Sequence, residues 1–224
     1  MTSIQKLRLA VPDLELDVSG LLLRPEQARA LLVLAHGAGA GMEHPFLRDL
    51  AKALAEAGIA TLRYQFPYME KGQRRPDRAP RLIPTVRAAV AEAGRREPGL
   101  PLLAGGKSMG GRMTSQAAAK EPLPGVKGLV FFGFPLHPAG KPGTERGEHL
   151  AKVPHPMLFL QGTRDKLADL HLLTHVLRPL GDQAKLHVVE GADHGFHVLK
   201  RSGRTDEEVR TELVDQVAGW VAGL

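Results

Sequence analysis

The sequence contains no cysteine among its 224 residues. This absence excludes disulfides, a thiolate nucleophile and metal sites built on cysteine. Long apolar runs are also missing, since no stretch approaches the roughly 20 apolar residues that a membrane-spanning helix needs. The first residues lack the apolar core of a secretory signal. We therefore expect one domain over residues 1–224, located in the cytoplasm and without a membrane partner.

Acidic residues are fewer than basic ones, 24 against 30, so the formal net charge is +6. One local cluster of basic residues lies in segment 63–81, and no nucleic-acid-binding motif accompanies it. We therefore expect no nucleic-acid partner. Two interpretations of the cluster stay open: solvated loop charge, or steering of an acidic substrate. The cluster consists of Arg63, Lys71, Arg74, Arg75, Arg78 and Arg81.

The hydrophobic pattern predicts an α/β fold. Two partly alternating apolar stretches, 7–11 and 14–23, favour an antiparallel pair at one sheet edge. Strand and helix patterns then alternate, which is typical of a mostly parallel central sheet of about 7–8 strands flanked by helices. In such sheets, functional groups gather at the carboxyl ends of the strands. The predicted strands are 30–35, 59–62, 100–104, 126–132, 157–160 and 186–189, and the main predicted helices begin at 45, 79, 109, 167 and 205.

The motif Gly-x-Ser-x-Gly occurs at positions 106–110, between a predicted strand and a predicted helix. In this context the motif is typical of a nucleophile on a sharp turn, where glycines let strand and helix approach closely. Ser108 is thus the candidate nucleophile, although a glycine-rich turn with an incidental serine is an alternative. The same segment resembles the end of a phosphate-binding P-loop. Pro101 stands where that motif requires its first glycine, so we reject this interpretation.

A serine nucleophile needs a base and an acid that orients the base. Asp165 follows the predicted strand 157–160, and His194 follows the last predicted strand. Both lie on loops expected at the carboxyl edge of the sheet. The order serine, acid, histidine is the one found in hydrolases with a Gly-x-Ser-x-Gly turn. Two alternatives remain: Asp165 caps the helix predicted from 167, and His197 is a less favoured base.

When a serine attacks a carbonyl carbon, the carbonyl oxygen becomes negatively charged. Backbone N–H donors, together called the oxyanion hole, stabilise this charge. One donor is expected from Met109, directly after the nucleophile. The second is expected from the glycine-rich loop 36–41, with Ala38 as first choice and Gly37 as second. The glycine spacing of this loop does not fit a dinucleotide-binding motif. We expect His36 to be structural, bonded to neighbouring loops.

No metal and no cofactor are expected. His171 and His175 have the spacing that zinc proteases use, but Leu172 replaces the glutamate that those enzymes need for catalysis. An incidental pair on a helix is therefore the favoured interpretation.

Several further stretches make the sequence similar to a known superfamily over nearly its whole length. It resembles the α/β-hydrolases, more narrowly the dienelactone-hydrolase-like group, and predicted hydrolases related to testis-expressed protein 30 and to the hydrolase-like subunit of the nonspecific lethal complex. The resemblance implies the α/β-hydrolase fold and a triad of Ser108, Asp165 and His194. Dienelactone hydrolases proper use cysteine where Ser108 stands, which argues against dienelactone as substrate. The matching stretches are 36–44, 63–69, 106–111, 134–138, 161–165 and 193–196.

The substrate is predicted only in outline. Segment 133–156 is too short for a substantial lid, so we expect an open site. Its expected walls, each equally plausible as a packing residue, are Phe66, Tyr68, Met69, Phe134 and Leu136. Arg63 is a candidate contact for an acidic substrate. We expect a serine hydrolase that cleaves a small ester or thioester through an acyl-enzyme on Ser108. A peptidase, an acyltransferase, a non-catalytic scaffold and a homo-oligomer stay open.

Overall fold

The structure is a computed structural model that describes residues 2–224. Its strands form one eight-stranded sheet in the order β1-β2-β4-β3-β5-β6-β7-β8. β2 pairs antiparallel with both β1 and β4, and all other neighbours are parallel. The predicted edge pair and parallel sheet are therefore confirmed. The strands are β1 (Thr2–Val11), β2 (Leu16–Pro25), β3 (Ala30–Ala35), β4 (Ile59–Tyr64), β5 (Leu102–Lys107), β6 (Val126–Phe132), β7 (Met157–Gly162) and β8 (Ala184–Val189).

Five α-helices lie between strands and a sixth follows the last strand, and most begin at or within one residue of the predicted positions. The helix predicted from 167 begins later, at Leu170, because the Asp169 side chain accepts a hydrogen bond from Leu172 N at 3.0 Å and caps it. It ends at Leu177 and continues as a 3₁₀ segment, Arg178–Gln183. The helices are α1 (Pro45–Glu56), α2 (Pro67–Glu70), α3 (Ala79–Arg96), α4 (Met109–Lys120), α5 (Leu170–Leu177) and α6 (Asp206–Val221).

Two apolar layers cover the two faces of the sheet. Every residue of β3 and β4 is buried, as their continuous apolar runs predict for strands covered on both faces. α1 and α6 pack on one face through residues such as Leu50 and Leu213. α3, α4 and α5 pack on the other through residues such as Val86, Met113 and Leu173. This arrangement leaves the carboxyl ends of the parallel strands free to carry a site.

The carboxyl edge of the sheet is not covered by a lid. Between β6 and β7 the chain forms only a five-residue 3₁₀ helix, Glu148–Lys152, which confirms the predicted absence of a substantial lid. Within residues 2–224 no helix combines the length and the apolar character needed to cross a bilayer.

Candidate active site

Ser108 occupies a strained turn between β5 and α4. Its backbone has φ 53° and ψ −119°, a conformation that residues with side chains rarely adopt. Two hydrogen bonds of about equal length hold the turn: Ser108 N donates to Phe132 O at 3.1 Å, and Arg112 N donates to Ser108 O at 3.1 Å. The side chain is thereby held at the carboxyl edge of the sheet.

The two glycines of the motif are required by close backbone approach. A Cβ atom on Gly106 would lie 2.5 Å from Ala35 O, and one on Gly110 would lie 2.6 Å from both Ala35 O and His36 O. β3, β5 and α4 therefore meet so closely here that a side chain at either position would push them apart.

The structure brings Ser108, His194 and Asp165 together in one hydrogen-bonded chain. His194 Nε2 lies 2.8 Å from Ser108 Oγ, and His194 Nδ1 lies 2.7 Å from Asp165 Oδ2. An ionised Asp165 accepts the Nδ1 proton, so Nε2 presents its lone pair to the serine hydroxyl. The Asp165 side chain has no exposed surface, whereas His194 is partly exposed. Chemically, this arrangement can remove the proton from Ser108.

Asp165 is itself fixed by two further donors. Gln161 Nε2 donates to Oδ2 at 2.6 Å, and Leu167 N donates to Oδ1 at 2.8 Å. Gln161 is fully buried at the end of β7, and its Oε1 accepts from Phe134 N at 2.8 Å. Sequence reasoning did not single out Gln161 as a site residue. The available signal was a polar residue directly after the buried apolar run 157–160, four positions before Asp165.

Neither of the two alternatives for Asp165 and His194 matches the structure: His197 is not the base at Ser108, and Asp165 does not cap α5. His197 is 60% exposed and its Nδ1 lies 2.8 Å from Asp206 Oδ2, so it faces the start of α6. The hydrogen bond that His197 donates to the Asp206 carboxylate raises the pKa of His197. The α5 cap is Asp169, not Asp165.

A second serine–histidine pair occurs inside the structure. Ser115 Oγ lies 2.7 Å from His149 Nε2, but the hydroxyl also donates to Arg112 O at 2.9 Å. A hydroxyl has one proton, so His149 must be the donor in this pair and does not act as a base toward Ser115. Burial and the nearby Arg112 charge lower the pKa of His149 to about 4. Within residues 2–224 no carboxylate bonds to His149, so the pair lacks an orienting acid.

The glycine-rich loop after β3 lies beside Ser108. Gly37 and Ala38 line the cleft that Ser108 and His194 share. His36 fixes the loop from below: its Nδ1 lies 2.7 Å from Gly37 O, and its Nε2 accepts from Phe66 N at 3.1 Å. Burial lowers the pKa of His36 to about 4, so the ring is neutral and can accept this bond. The predicted structural role of His36 is therefore confirmed.

Met109 is the first residue of α4. The first N–H groups of a helix have no partner within it, so the Met109 N–H is available next to the nucleophile.

Four of the five predicted walls lie in the core and do not line the cleft. Phe66, Tyr68, Phe134 and Leu136 are at most 1% exposed, and the first two pack on His36 with ring centroids 4.9 and 5.9 Å away. Arg63 is 4% exposed and its Nη1 donates to Met42 O at 3.0 Å, so it faces inward.

Met69, the remaining predicted wall, is half-buried beside Gly41 and does not line the cleft. The cleft has a volume of about 320 Å³. Its walls come instead from short loops and the start of α1, and include Ala38, Ala40, Phe46, Leu47 and Leu167.

His171 and His175 lie on α5 beside Arg178, away from the cleft lining. Across the described residues 2–224, no three histidine or acidic side chains are arranged to hold a metal ion.

Comparison with known proteins identifies the family. The family model of the alpha/beta hydrolase domain matches residues 28–222. A predicted phosphoribosyl transferase of Mycobacterium tuberculosis is 30% identical over 185 residues, which are 80% of this chain and 39% of that protein. The chain thus spans less than half the length of the curated relatives it matches.

Solved structures share the fold over almost all of the chain. The dienelactone hydrolase of Anabaena variabilis superposes with a TM-score of 0.77 at 22% identity, covering 99% of this chain and 98% of that one. An α/β serine hydrolase without a lid from Xanthomonas campestris gives a TM-score of 0.76 at 22% identity, covering 97% and 95%. The chain therefore belongs to the α/β-hydrolase superfamily, with the fold of the dienelactone hydrolases.

Proposed function

We propose that this protein is a serine hydrolase that cleaves a small ester or thioester through an acyl-enzyme on Ser108. The observation that carries the proposal is the continuous chain from Ser108 Oγ through His194 to the buried Asp165, with bonds of 2.8 and 2.7 Å. Two further observations support the proposal. Ser108 has the strained backbone of a nucleophile turn, and the protein belongs to a superfamily that contains hydrolases.

In the proposed reaction, His194 Nε2 takes the Ser108 proton as Oγ attacks the carbonyl carbon of the substrate. The N–H groups of Ala38 and Met109, with Gly37 as an alternative to Ala38, stabilise the oxyanion. His194 then protonates the leaving alcohol or thiol, and the acyl group stays on Ser108. Water, deprotonated by His194, attacks the acyl-enzyme, and the acid leaves.

The cleft favours a short acyl group. Its volume of about 320 Å³ lies at the small end of ligand sites. Phe46, Leu47 and Leu167 supply apolar walls, and no carboxylate belongs to the lining. The absence of a lid leaves room at the mouth for leaving groups of varied size. These features support a small-molecule ester more than a long-chain lipid.

Labelling with a fluorophosphonate probe tests the proposed function. We expect the wild-type protein to become labelled at Ser108, because an activated serine attacks phosphorus as it attacks a carbonyl carbon. Ser108→Ala should abolish labelling. Ser115→Ala is the matched control, since Ser115 also contacts a histidine but donates to Arg112 O. Absence of wild-type labelling would favour a scaffold role; labelling that survives Ser108→Ala would place the nucleophile elsewhere.

A peptidase or acyltransferase would label in the same way and is separated by product analysis. An acyltransferase yields acylated acceptor instead of free acid, and a peptidase cleaves peptide amides as well as esters.

The name of the M. tuberculosis relative does not supply a second candidate function. The chemistry that the geometry at Ser108 supports is that of the hydrogen-bonded Ser108, His194 and Asp165, which points to hydrolysis. The chain also corresponds to only 39% of that relative.

The exposed basic loop is expected to favour anionic esters. Arg74 and Arg75 are exposed, and the Arg74 backbone passes next to Gly39 in the loop after β3. Charge reversal of both arginines should lower kcat/KM for an anionic short ester about 3- to 10-fold at low salt, and leave a neutral isostere unaffected. The measurement is a salt series with both esters.

Lys127→Glu with Lys185→Glu is the control for that series, because both lysines are exposed near the amino ends of their strands. Equal rates for the two esters at every ionic strength would contradict steering by this loop.

The cytoplasmic location and the homo-oligomeric state stay predictions of the sequence. Cell fractionation and light scattering of the purified protein test them directly.

A further inference from the structure

We propose that Lys107 is a positioning residue that clamps the loop carrying His194. Lys107 ends β5, directly before Ser108, and its Nζ donates a hydrogen bond to the backbone carbonyl oxygen of His194. One residue thus links the strand that presents the nucleophile to the loop that presents the base. The catalytic consequence rests on the proposed function, because it requires His194 to act as the base.

Two aromatic rings flank the Lys107 ammonium. The Lys107 ammonium lies 5.4 Å from the ring centroid of Phe196 and 5.9 Å from that of Phe46, within cation–π distance of both. The two rings stack on each other at 5.7 Å. The rings flank the ammonium, and Lys107, which is partly buried, also belongs to the lining of the cleft.

The backbone of Phe196 supports the same conclusion. Its φ of 63° is a left-handed conformation that is costly for a bulky residue. Such a conformation persists only where the surroundings impose it, and it is concentrated at functional sites. Here it places the ring, which is 3% exposed, over Lys107 and against Phe46. The loop after His194 is therefore held in a shape that its own sequence does not favour.

The charges that face Lys107 belong to the same site. The three side chains converge beside Gly133. A Cβ atom on this glycine would lie 3.0 Å from Lys107 Nζ, 3.4 Å from His194 Nδ1 and 3.5 Å from Asp165 Oδ2. Asp193 is the other charged group that acts on Lys107, and its carboxylate already accepts bonds from two loop N–H groups. Lys107 has no ion-pair partner in the described chain; its acceptor is a neutral carbonyl.

The protonation of Lys107 gives the clamp a pH dependence. Burial lowers its pKa to about 8, against the attraction of Asp165 and Asp193. Below this pH the residue is an ammonium and a strong donor, and above it a neutral amine and a weaker one. We expect the kcat of ester hydrolysis to fall as pH rises through about 8, because the His194 loop loosens.

The test compares Lys107→Met and Lys107→Arg in the full chain, with Lys127→Met at an exposed lysine as control. For Lys107→Met we expect kcat to fall about 10- to 100-fold with KM unchanged, as for the loss of one charge-assisted hydrogen bond. The alkaline decline should disappear. Hydrogen exchange of the backbone amides in residues 190–197 should accelerate by a similar factor. Lys107→Arg, which stays charged, should also show no decline near pH 8.

A purely structural role would give a different pattern. Since folding lowers the pKa of Lys107, its charge disfavours the folded state at pH 7, and Lys107→Met should not lower the urea unfolding midpoint. A lowered midpoint with unchanged kcat, or unchanged exchange in 190–197, would overturn the proposal. If Lys107→Met does not fold, the Lys107→Arg profile decides, and a decline that persists near pH 8 overturns the clamp.

Hydrogen exchange does not depend on turnover. If the probe fails to label Ser108, the proposed function falls while the exchange rates still report whether Lys107 holds the loop.

Discussion

Replacement of Asp165 by alanine is expected to lower the kcat of ester hydrolysis about 10⁴-fold, with a much smaller effect on KM. The carboxylate accepts the Nδ1 proton of His194 at 2.7 Å and thereby keeps Nε2 unprotonated toward Ser108. Without it, the imidazole is free to rotate or to carry its proton on Nε2. In either state it does not accept the serine proton, and the imidazolium formed during attack loses its counter-charge.

Asp169→Ala is the matched control for this substitution. Both aspartates follow β7, but Asp169 caps α5 through Leu172 N. Its loss should cost about 1 kcal/mol of unfolding free energy and leave kcat at the wild-type level. Asp165→Ala should also destabilise the fold by about 1–3 kcal/mol, because Gln161 and Leu167 N lose their acceptor. Steady-state kinetics and urea unfolding separate the two effects. A decrease in kcat below about tenfold would contradict the orienting role of Asp165.

Comparison of Asp165 with Asp169 also shows which features of this fold the sequence predicts and which it does not. Continuous apolar runs such as β3 predict buried parallel strands, and the strand order then places the loops after β5, β7 and β8 at one edge. That rule is sufficient to bring Ser108, Asp165 and His194 to the same place. Which aspartate caps the helix is a local matter of hydrogen-bond geometry, and the apolar pattern predicts the start of α5 three residues too early.

Side-chain direction after a strand is much harder to predict. Phe66 and Tyr68 follow β4 at the carboxyl edge, as residues that line a cleft often do. They turn inward, however, and pack against His36 below the loop after β3. The direction depends on how the loop crosses the sheet edge, which residue spacing does not encode. Phe46 and Leu47 line the cleft instead, although in the sequence they belong to the apolar stripe of α1.

The sequence predicts the start of β1 five residues too late. The strand begins at Thr2, while the apolar pattern begins at Leu7, because the first residues are exposed. These residues pair with β2 in a register that begins with Thr2 opposite Pro25. Backbone pairing of this kind does not require apolar side chains.

Replacement of Gly105 by alanine is expected to prevent folding or to destabilise the protein by more than about 4 kcal/mol. A Cβ atom at this position would lie 1.9 Å from Val130 O and 2.8 Å from Val130 C. Both atoms belong to the backbone of β6, so no side chain can rotate away to make room. β5 and β6 would have to separate, and with them the bond from Ser108 N to Phe132 O that holds the nucleophile turn.

Gly219→Ala is the corresponding control. Gly219 is exposed within α6, and a Cβ atom there would meet no atom within 4 Å. Alanine has the higher helix propensity, so this variant should be more stable than wild type by up to about 1 kcal/mol. Urea unfolding of both variants, followed by circular dichroism, measures the difference. The motif Gly-x-Ser-x-Gly does not include Gly105, so a Gly105→Ala variant with a wild-type midpoint and full probe labelling would contradict the close β5–β6 contact itself. A strongly destabilised variant would support that contact, on which the bond from Ser108 N to Phe132 O depends.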